Sequence, residues 1–443
     1  MRQHDLGRWQ QASFTRRRLM ALTSAAGLGA VLGGRSIALA QDKTKLVWST
    51  WGSPEELTRY NEFDAKFVAA HPDLDLELIA VPSYEEYHPK MLTQLAAGSG
   101  PDALYIGDDN IGKFVVSGAL LDLTEMLNGE SSQSKPEDFF SGLWGAALTP
   151  EGRYFGVTND CNPQVLWYNK TTLNDAGVTD DPASMQAAGK WTWEAFSGIC
   201  AKLAAAGKHG AVLENWFADT YSLISSNGGA IYADGKYMAT EDPKSVAALR
   251  LIYDNVAAKS FTASNFLPEG QGAGALFISG LAGFRSAGRW FLPTVKDALK
   301  PEEYDVVSWP TNTGNPIEPS GIATSFMGIN AKSAHPEQAF TFLTNFVSKE
   351  GQIFRLQGGG NAVPSIKGAD EVVSEDGIPA NNAIFLQTRE SGFVEPAEET
   401  RVAGLPQDIL KGLEPLWLAQ GDFDATVKAL GEMVNAKLAD AAS

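Results

Sequence analysis

Residues 155–170 read FGVTNDCNPQVLWYNK. Two apolar runs with strand character, FGV and QVLWYN, flank TNDCNP, a run of small polar groups closed by a proline. The ends are too apolar for a surface loop, and the middle is too polar for one buried strand. A chain crossing its own interior in this way must find partners for its polar groups in mid-passage. Each one buried without a partner costs roughly 1–3 kcal/mol.

Outward from this stretch, strand alternates with helix. Residues 45–49 read as a strand. Ser53-Pro54-Glu55-Glu56 is then a capping box with proline at the first helical position. Leu57, Tyr60, Phe63, Phe67 and Ala70 follow at mostly helical spacing, and His71-Pro72 stops the helix. Residues 74–81, LDLELIAV, alternate as a strand does. The next helix ends at Ala97, with Gly98 in the left-handed closing position. Its start has two candidates, because Ser83 and Glu86 form a cap while Pro89 favours a later beginning. A short buried strand at 103–106 completes an α/β unit with a largely parallel sheet. Further along, 193–206, 245–258 and 336–347 read as helices, 326–330 as a strand, and 405–418 with 423–438 as a helical C-terminal tail. No repeat at solenoid spacing is present.

The 443 residues are 44% hydrophobic, enough for a large core divided into two or more domains. Residues 1–40 form a targeting segment: Arg16, Arg17 and Arg18 precede a weakly apolar run, and Ala38-Leu39-Ala40 offers small-residue cleavage. TRRRLM (15–20) resembles a twin-arginine export signal, with an ordinary secretory signal as the alternative. No cysteine follows the cleavage point, so a freely soluble periplasmic protein beginning near Gln41, and not a lipoprotein, is expected. Without this segment 29 Lys+Arg face 52 Asp+Glu, a formal charge of −23, which repels nucleic acid and anionic membranes. No membrane insertion is expected. An oxidising compartment permits a Cys161–Cys200 bridge. Cys200, however, lies on the apolar stripe of a helix, which favours a buried free thiol.

Few catalytic signatures are found. Of His71, His88, His209 and His335, three sit at expected element boundaries, and there is no paired metal-ligand spacing, no HExxH, no G-x-S-x-G and no P-loop. The run GQGAGA (270–275) follows NFLPE rather than a strand and reads as a loop entering a helix. No cofactor and no metal are expected. The ten tryptophans beyond the targeting segment are more informative. Several stand beside polar turn residues: Trp51 with Gly52 and Ser53, Trp216 with Asn215, and Trp290 with Gly288 and Arg289. A flat ring beside planar hydrogen-bonding groups suits a sugar, whose C–H face stacks while its hydroxyls take donors and acceptors.

These stretches together resemble a known family. LVWSTWGS (46–53), LAAGSGPDALYIGDD (95–109), FGVTNDCNPQVLWYNK, KWTWEAF (190–196), GAGALFISGLAGFRSAGRW (272–290) and SGIATSFMGINAKS (320–333) carry the likeness in order and spacing. The chain after residue 40 is similar to the bacterial extracellular solute-binding proteins of family 1, the maltose-binding-protein-like periplasmic receptors of ABC sugar importers. The resemblance implies an α/β, two-lobed periplasmic-binding-protein fold of type II, with ligand in the interlobe cleft. Each lobe would be a largely parallel sheet flanked by helices. The lobes are expected as 41–158 with 326–366, and 159–325 with 367–443. TNDCNP would be a hinge crossing, FGV ending a strand of one lobe and QVLWYN starting one of the other.

The resemblance implies a monomeric, non-enzymatic receptor that captures a carbohydrate and delivers it to membrane permease subunits. The alternatives are an exported carbohydrate-active enzyme, or a receptor for an anionic sugar derivative or a polyol. Ligands of open α/β sheets sit beyond the carboxyl ends of the strands. That places Trp51, Gly52, Ser53, Asp108 and Asp109 at the cleft. By motif position the family adds Asn162, Asn215, Trp216 and Trp290, with Asp160 facing ligand or water and Gly288 beside Trp290. Arg289 is a candidate bidentate donor, with a salt bridge inside its lobe as the alternative. Gly321, Gly360, Asn361 and Arg401 are further candidates on cleft-facing loops.

Overall fold

The computed structural model describes residues 43–442 apart from Pro82, Glu269, Gly270 and Asp376. The expected targeting segment and Gly270 of the GQGAGA run lie outside the described residues. Strands β1 (Thr44–Thr50), β2 (Leu74–Ala80) and β3 (Ala103–Gly107) alternate with helices α1 (Pro54–Ala70) and α2 (Tyr84–Ala96), and β1 pairs in parallel with both neighbours. Local chemistry sets these boundaries. The Ser53 hydroxyl accepts from the Glu56 N–H at 3.3 Å, while the Glu56 carboxylate accepts from the Ser53 N–H at 2.6 Å. Ser83 caps α2 through the Glu86 N–H at 3.2 Å, so the earlier of the two expected starts is the real one and Pro89 lies inside the helix. Gly98 closes it at φ +72°.

The remaining strands are β4 (Val157–Pro163), β5 (Val165–Asn169), β6 (His209–Leu213), the small hairpin β7 (Tyr232–Ala233) and β8 (Lys236–Tyr237), β9 (Phe261–Ala263), β10 (Ala282–Ala287), β11 (Tyr304–Val307) and β12 (Ile322–Ile329). They form two five-stranded sheets, β2-β1-β3-β12-β4 and β11-β5-β10-β6-β9. In each sheet four strands run one way and one runs against them: β12 in the first, β5 in the second. The odd strand is in both cases the one that enters directly after a crossing from the other sheet. A chain that leaves one sheet at its carboxyl edge and enters the next at that sheet's carboxyl edge must run backwards there. The two antiparallel strands thus show that the carboxyl edges of the sheets face each other.

The crossing itself differs from expectation. TNDCNP is not a linking segment but strand β4, paired with β12 through Asn162↔Ala323 and Asp160↔Ser325. The register then skips Asn159, a bulge that turns both Asn159 and Asp160 into the interior. Their partner is Arg355, far away in sequence. Its guanidinium donates to Asn159 Oδ1 at 2.6 Å and to Asp160 Oδ2 at 3.4 Å. The passage between sheets is the single residue Gln164, whose N–H donates to Gly321 O at 2.9 Å and whose carbonyl accepts from Ser320 Oγ at 2.8 Å. The return passage is therefore laced to the outward one. Phe393 joins them, donating its N–H to Ser320 O at 3.0 Å.

Trp48, Tyr60, Phe342 and Phe346 fill the core against the first sheet; Phe196, Phe284, Leu249 and Leu413 belong to the core of the second. Helices Leu405–Trp417 and Phe423–Ala442 cap the latter, in keeping with the expected helical tail. Cys161 and Cys200 are buried free thiols.

Candidate functional site

Between the facing carboxyl edges lies a cleft of about 560 Å³, within the ordinary range for small-ligand sites of roughly 300–1,000 Å³. The first sheet contributes Trp51 after β1, Tyr105 and Gly107 from β3, Asp108 and Asp109 after it, Asp160 and Asn162 from β4, and Ala323, Thr324 and Ser325 from β12. Glu56, Tyr84 and Glu85 reach it from α1 and α2. The second sheet contributes Glu214 and Trp216 after β6 and Trp290 after β10. Asn361 and Ala362 complete the lining. A larger hollow of about 790 Å³ lies beside edge strand β9, but it touches only the second sheet and has no carboxylate in its lining.

Eight of the sixteen expected site residues line the cleft: Trp51, Asp108, Asp109, Asp160, Asn162, Trp216, Trp290 and Asn361. The other eight do not. Gly52 and Ser53 belong to the start of α1, where the Ser53 hydroxyl is used as a helix cap. Asn215 donates its side-chain N–H to Leu410 O at 2.9 Å. Gly288 lies under Trp290, where a Cβ would come within 2.4 Å of the ring. Gly321 packs against helix Phe217–Ser226, with a Cβ position 2.4 Å from Ala218 Cα. Arg289 is buried and donates to the carbonyls of Gly360, Ala362 (3.0 Å) and Val372 (3.0 Å), so Gly360 serves as its acceptor. Arg401 donates to Leu148 O at 2.6 Å. The case for an anionic ligand rested on these two guanidiniums; neither residue lines the cleft, and both donate to backbone carbonyls.

Sequence reasoning missed Tyr84, Tyr105, Glu56, Glu85, Glu214, Thr324 and Ser325. The rings form two groups. Trp51 lies 4.6 Å from Tyr105 and 4.9 Å, edge-on, from Tyr84 on the first-sheet side. Trp216 lies 6.2 Å from Trp290 on the other. Gly107 makes room for Tyr84: a Cβ there would meet the phenol oxygen at 2.0 Å. The Tyr84 hydroxyl donates to Asp109, which also accepts from Asn110 Nδ2 at 2.6 Å. His88 stands behind this wall, accepting the Gly107 N–H at 3.0 Å, and burial pushes its pKa down to about 4, so it is neutral.

The acidic groups carry the site's electrostatic signature. Burial and the neighbouring Asp109 charge push the Asp108 carboxyl up to about 7, although it accepts from the Thr324 N–H at 2.9 Å. Burial also raises Glu56 and Glu214. Behind the cleft Glu395 is raised by burial and by Asp108, and Glu399 by burial to about 7. Asp160 and Asn162 are already engaged: the first by Arg355, Tyr105, Asn159 and Ser325, the second as acceptor for the Trp290 N–H at 3.2 Å.

Two facing sheets, two passages laced together, and a ring-lined cleft between them match the family that the sequence resembles. Residues 52–353 match the bacterial extracellular solute-binding protein family along their length. The chain belongs to that family. Family membership implies a small-molecule ligand, an ABC-importer partner and a place outside the cytoplasm, and it makes the chain a binding protein rather than an enzyme. An uncharacterized lipoprotein of Streptomyces antibioticus is 24% identical over 368 residues, 80% of this chain and 77% of that one. Among solved structures, an ABC substrate-binding protein of Listeria monocytogenes in complex with cycloalternan superposes with a TM-score of 0.76 at 20% identity, over 90% of this chain and 100% of that one. The GacH receptor of Streptomyces glaucescens, solved unliganded and with acarbose, gives 0.76 at 17% identity over 90% and 99%.

Proposed function

We propose that this chain is the periplasmic receptor of an ABC importer for a carbohydrate, held between two lobes that close about the laced passages at Gln164, Ser320–Gly321 and Phe393. The lobes are built on the two sheets. Export by the twin-arginine route and a freely soluble, unanchored mature chain belong to the same reading. The observation that carries it is the cleft lining, in which rings and hydrogen-bonding groups come from both sheets. A ligand there touches both halves only when they are together, so its binding energy favours the closed state. Rings supply stacking faces, and each buried polar group penalises a solute that lacks its match by roughly 1–3 kcal/mol. The cycloalternan and acarbose complexes of the structural relatives support a glycan ligand.

Native mass spectrometry of freshly purified protein identifies the ligand, and calorimetry then tests the site. Trp290→Ala removes one stacking face and is expected to weaken binding roughly 10- to 100-fold, as loss of a well-packed aromatic contact does, with the melting temperature of the free protein little changed. Undiminished affinity in this variant contradicts the site. Chemical analysis after long incubation must return the ligand intact; cleavage products contradict the receptor reading.

A further inference from the structure

The charge of the cleft is one-sided. Six of its lining residues are carboxylic acids, Glu56, Glu85, Asp108, Asp109, Asp160 and Glu214, and none is lysine, arginine or histidine. Two of the six are answered from behind. Asp160 pairs with buried Arg355, and Glu214 has Arg285 as its compensating charge. Glu56, Glu85, Asp108 and Asp109 have no ion pair among the described residues. Lys113, the cation on α3 (Asp108–Val116), is turned to Asn110 Oδ1 at 3.3 Å. Carboxylates gathered in a partly desolvated cleft repel one another and carry a desolvation cost that neutral hydroxyls relieve only in part.

Two further features point to what relieves it. Thr324, a lining residue only 5% exposed whose N–H donates to Asp108 at 2.9 Å, keeps a buried hydroxyl without a hydrogen-bond partner at the wall beside these acids. The five rings of Trp51, Tyr84, Tyr105, Trp216 and Trp290 share the lining with the acids, and aromatic faces attract cations through their quadrupole. Acids without counterions, aromatic walls and an unsatisfied hydroxyl in the wall behind them form one environment.

Resting on the receptor reading above, we propose that the ligand is a sugar bearing a protonated amine, seated with its ammonium at Asp108, Asp109 and Glu85 and its hydroxyls on the rest of the lining. The amine supplies the cation that the protein withholds. An anionic or N-acylated sugar cannot do so. Burial and like charge hold the Asp108 carboxyl near 7, with Asp109 beside it and Glu395 facing it from another element, while Lys113, further along the same helix, acts on Glu395; an ammonium settles that conflict in favour of the carboxylate.

Thermal-shift titration of the intact secreted protein at pH 7 tests this with matched probes. The free-amine set is glucosamine, the chitosan dimer and trimer, and the aminocyclitol glycoside kanamycin. The controls are the N-acetylated form of each, together with glucose, cellobiose and cellotriose. The expected result is stabilisation by at least one free-amine probe, with at least tenfold higher affinity than for its N-acetylated counterpart. That preference should shrink with added salt and in Glu85→Gln, since Glu85 is exposed and can be neutralised without disturbing the fold. Equal or stronger stabilisation by an uncharged sugar overturns the cationic assignment and leaves the receptor reading standing. Stabilisation by none of the free-amine probes also overturns the assignment. If in addition no sugar of a broad neutral and acidic library binds, the receptor reading falls with it.

Discussion

Asp160 lines the cleft, yet its geometry marks it first as a support. Its carboxylate is 5% exposed and accepts from Ser325 Oγ at 2.7 Å, Asn159 Nδ2 at 3.0 Å, the Tyr105 hydroxyl at 3.1 Å and Arg355 Nη1 at 3.4 Å. Arg355 is itself 3% exposed and otherwise donates to neutral oxygens of Asn159 and Phe346. Asp160→Asn preserves the shape. The amide oxygen can still accept from Tyr105, Asn159 and Arg355, and the amide N–H can donate to the Ser325 hydroxyl. What is lost is the counter-charge of a buried guanidinium. Breaking a buried ion pair by removing one charge costs roughly 3–5 kcal/mol, and the surviving hydrogen bonds place this variant near 3 kcal/mol. That is a large part of a typical stability of about 5–15 kcal/mol. Urea unfolding of the free protein, followed by circular dichroism, measures the loss. The double variant Asp160→Asn/Arg355→Met removes the orphaned cation and should recover about 1–3 kcal/mol of coupling. A loss below about 1 kcal/mol for the single variant, together with additivity in the double, refutes the reasoning and returns Asp160 to the role of a ligand contact alone.

Two further outcomes follow from the same structure. Arg289→Met leaves the carbonyls of Gly360, Ala362 and Val372 without this donor, and at roughly 1–3 kcal/mol per unsatisfied buried group it should lower unfolding stability by about 3 kcal/mol or more; a variant as stable as the parent but weaker in ligand affinity would reinstate Arg289 at the ligand. Asp64, Asp108 and Glu399 are raised by burial to about 7 and Asp219 to about 8, so the native state holds protons that the unfolded chain releases near 4. Their contribution is complete below that value and is lost as pH rises through 7 and 8. The ligand-free protein should therefore melt lower at pH 8 than at pH 6, and a melting temperature that rises over this interval contradicts the burial of these acids.

What the sequence displayed well was local. The Ser53–Glu56 box, the Gly98 closure and the alternation of 74–81 are set by neighbours a few residues apart, and each stands where expected. The ends of β1 and β3 were also legible as cleft positions, because the carboxyl-edge rule needs only the order of elements, whereas Trp216 and Trp290 came from motif positions in the family resemblance. What stayed hidden depends on partners distant in sequence. TNDCNP looked too polar for a strand because its neutralising group, Arg355, lies nearly 200 positions on. Arg289 looked like a ligand donor because the carbonyls that take it lie on 360–372, a segment with no signal of its own. Tyr84 and Tyr105 drew no reading of their own from the sequence, and only the space over Gly107 shows why Tyr84 reaches the cleft. The motif Gly288-Arg289-Trp290 thus divides its labour, with the ring at the cleft, the guanidinium toward the backbone and the glycine as the clearance under the ring.

Small-angle X-ray scattering of the mature protein, with and without a saturating mixture of neutral and amine-bearing mono- and oligosaccharides, reads the two lobes and the space between them at once. The structure predicts a smaller radius of gyration with the mixture, and no such contraction in Trp290→Ala at the same concentrations. An identical scattering envelope in both conditions, for a sample whose melting temperature the mixture has raised, would mean that solute binds without bringing the lobes together.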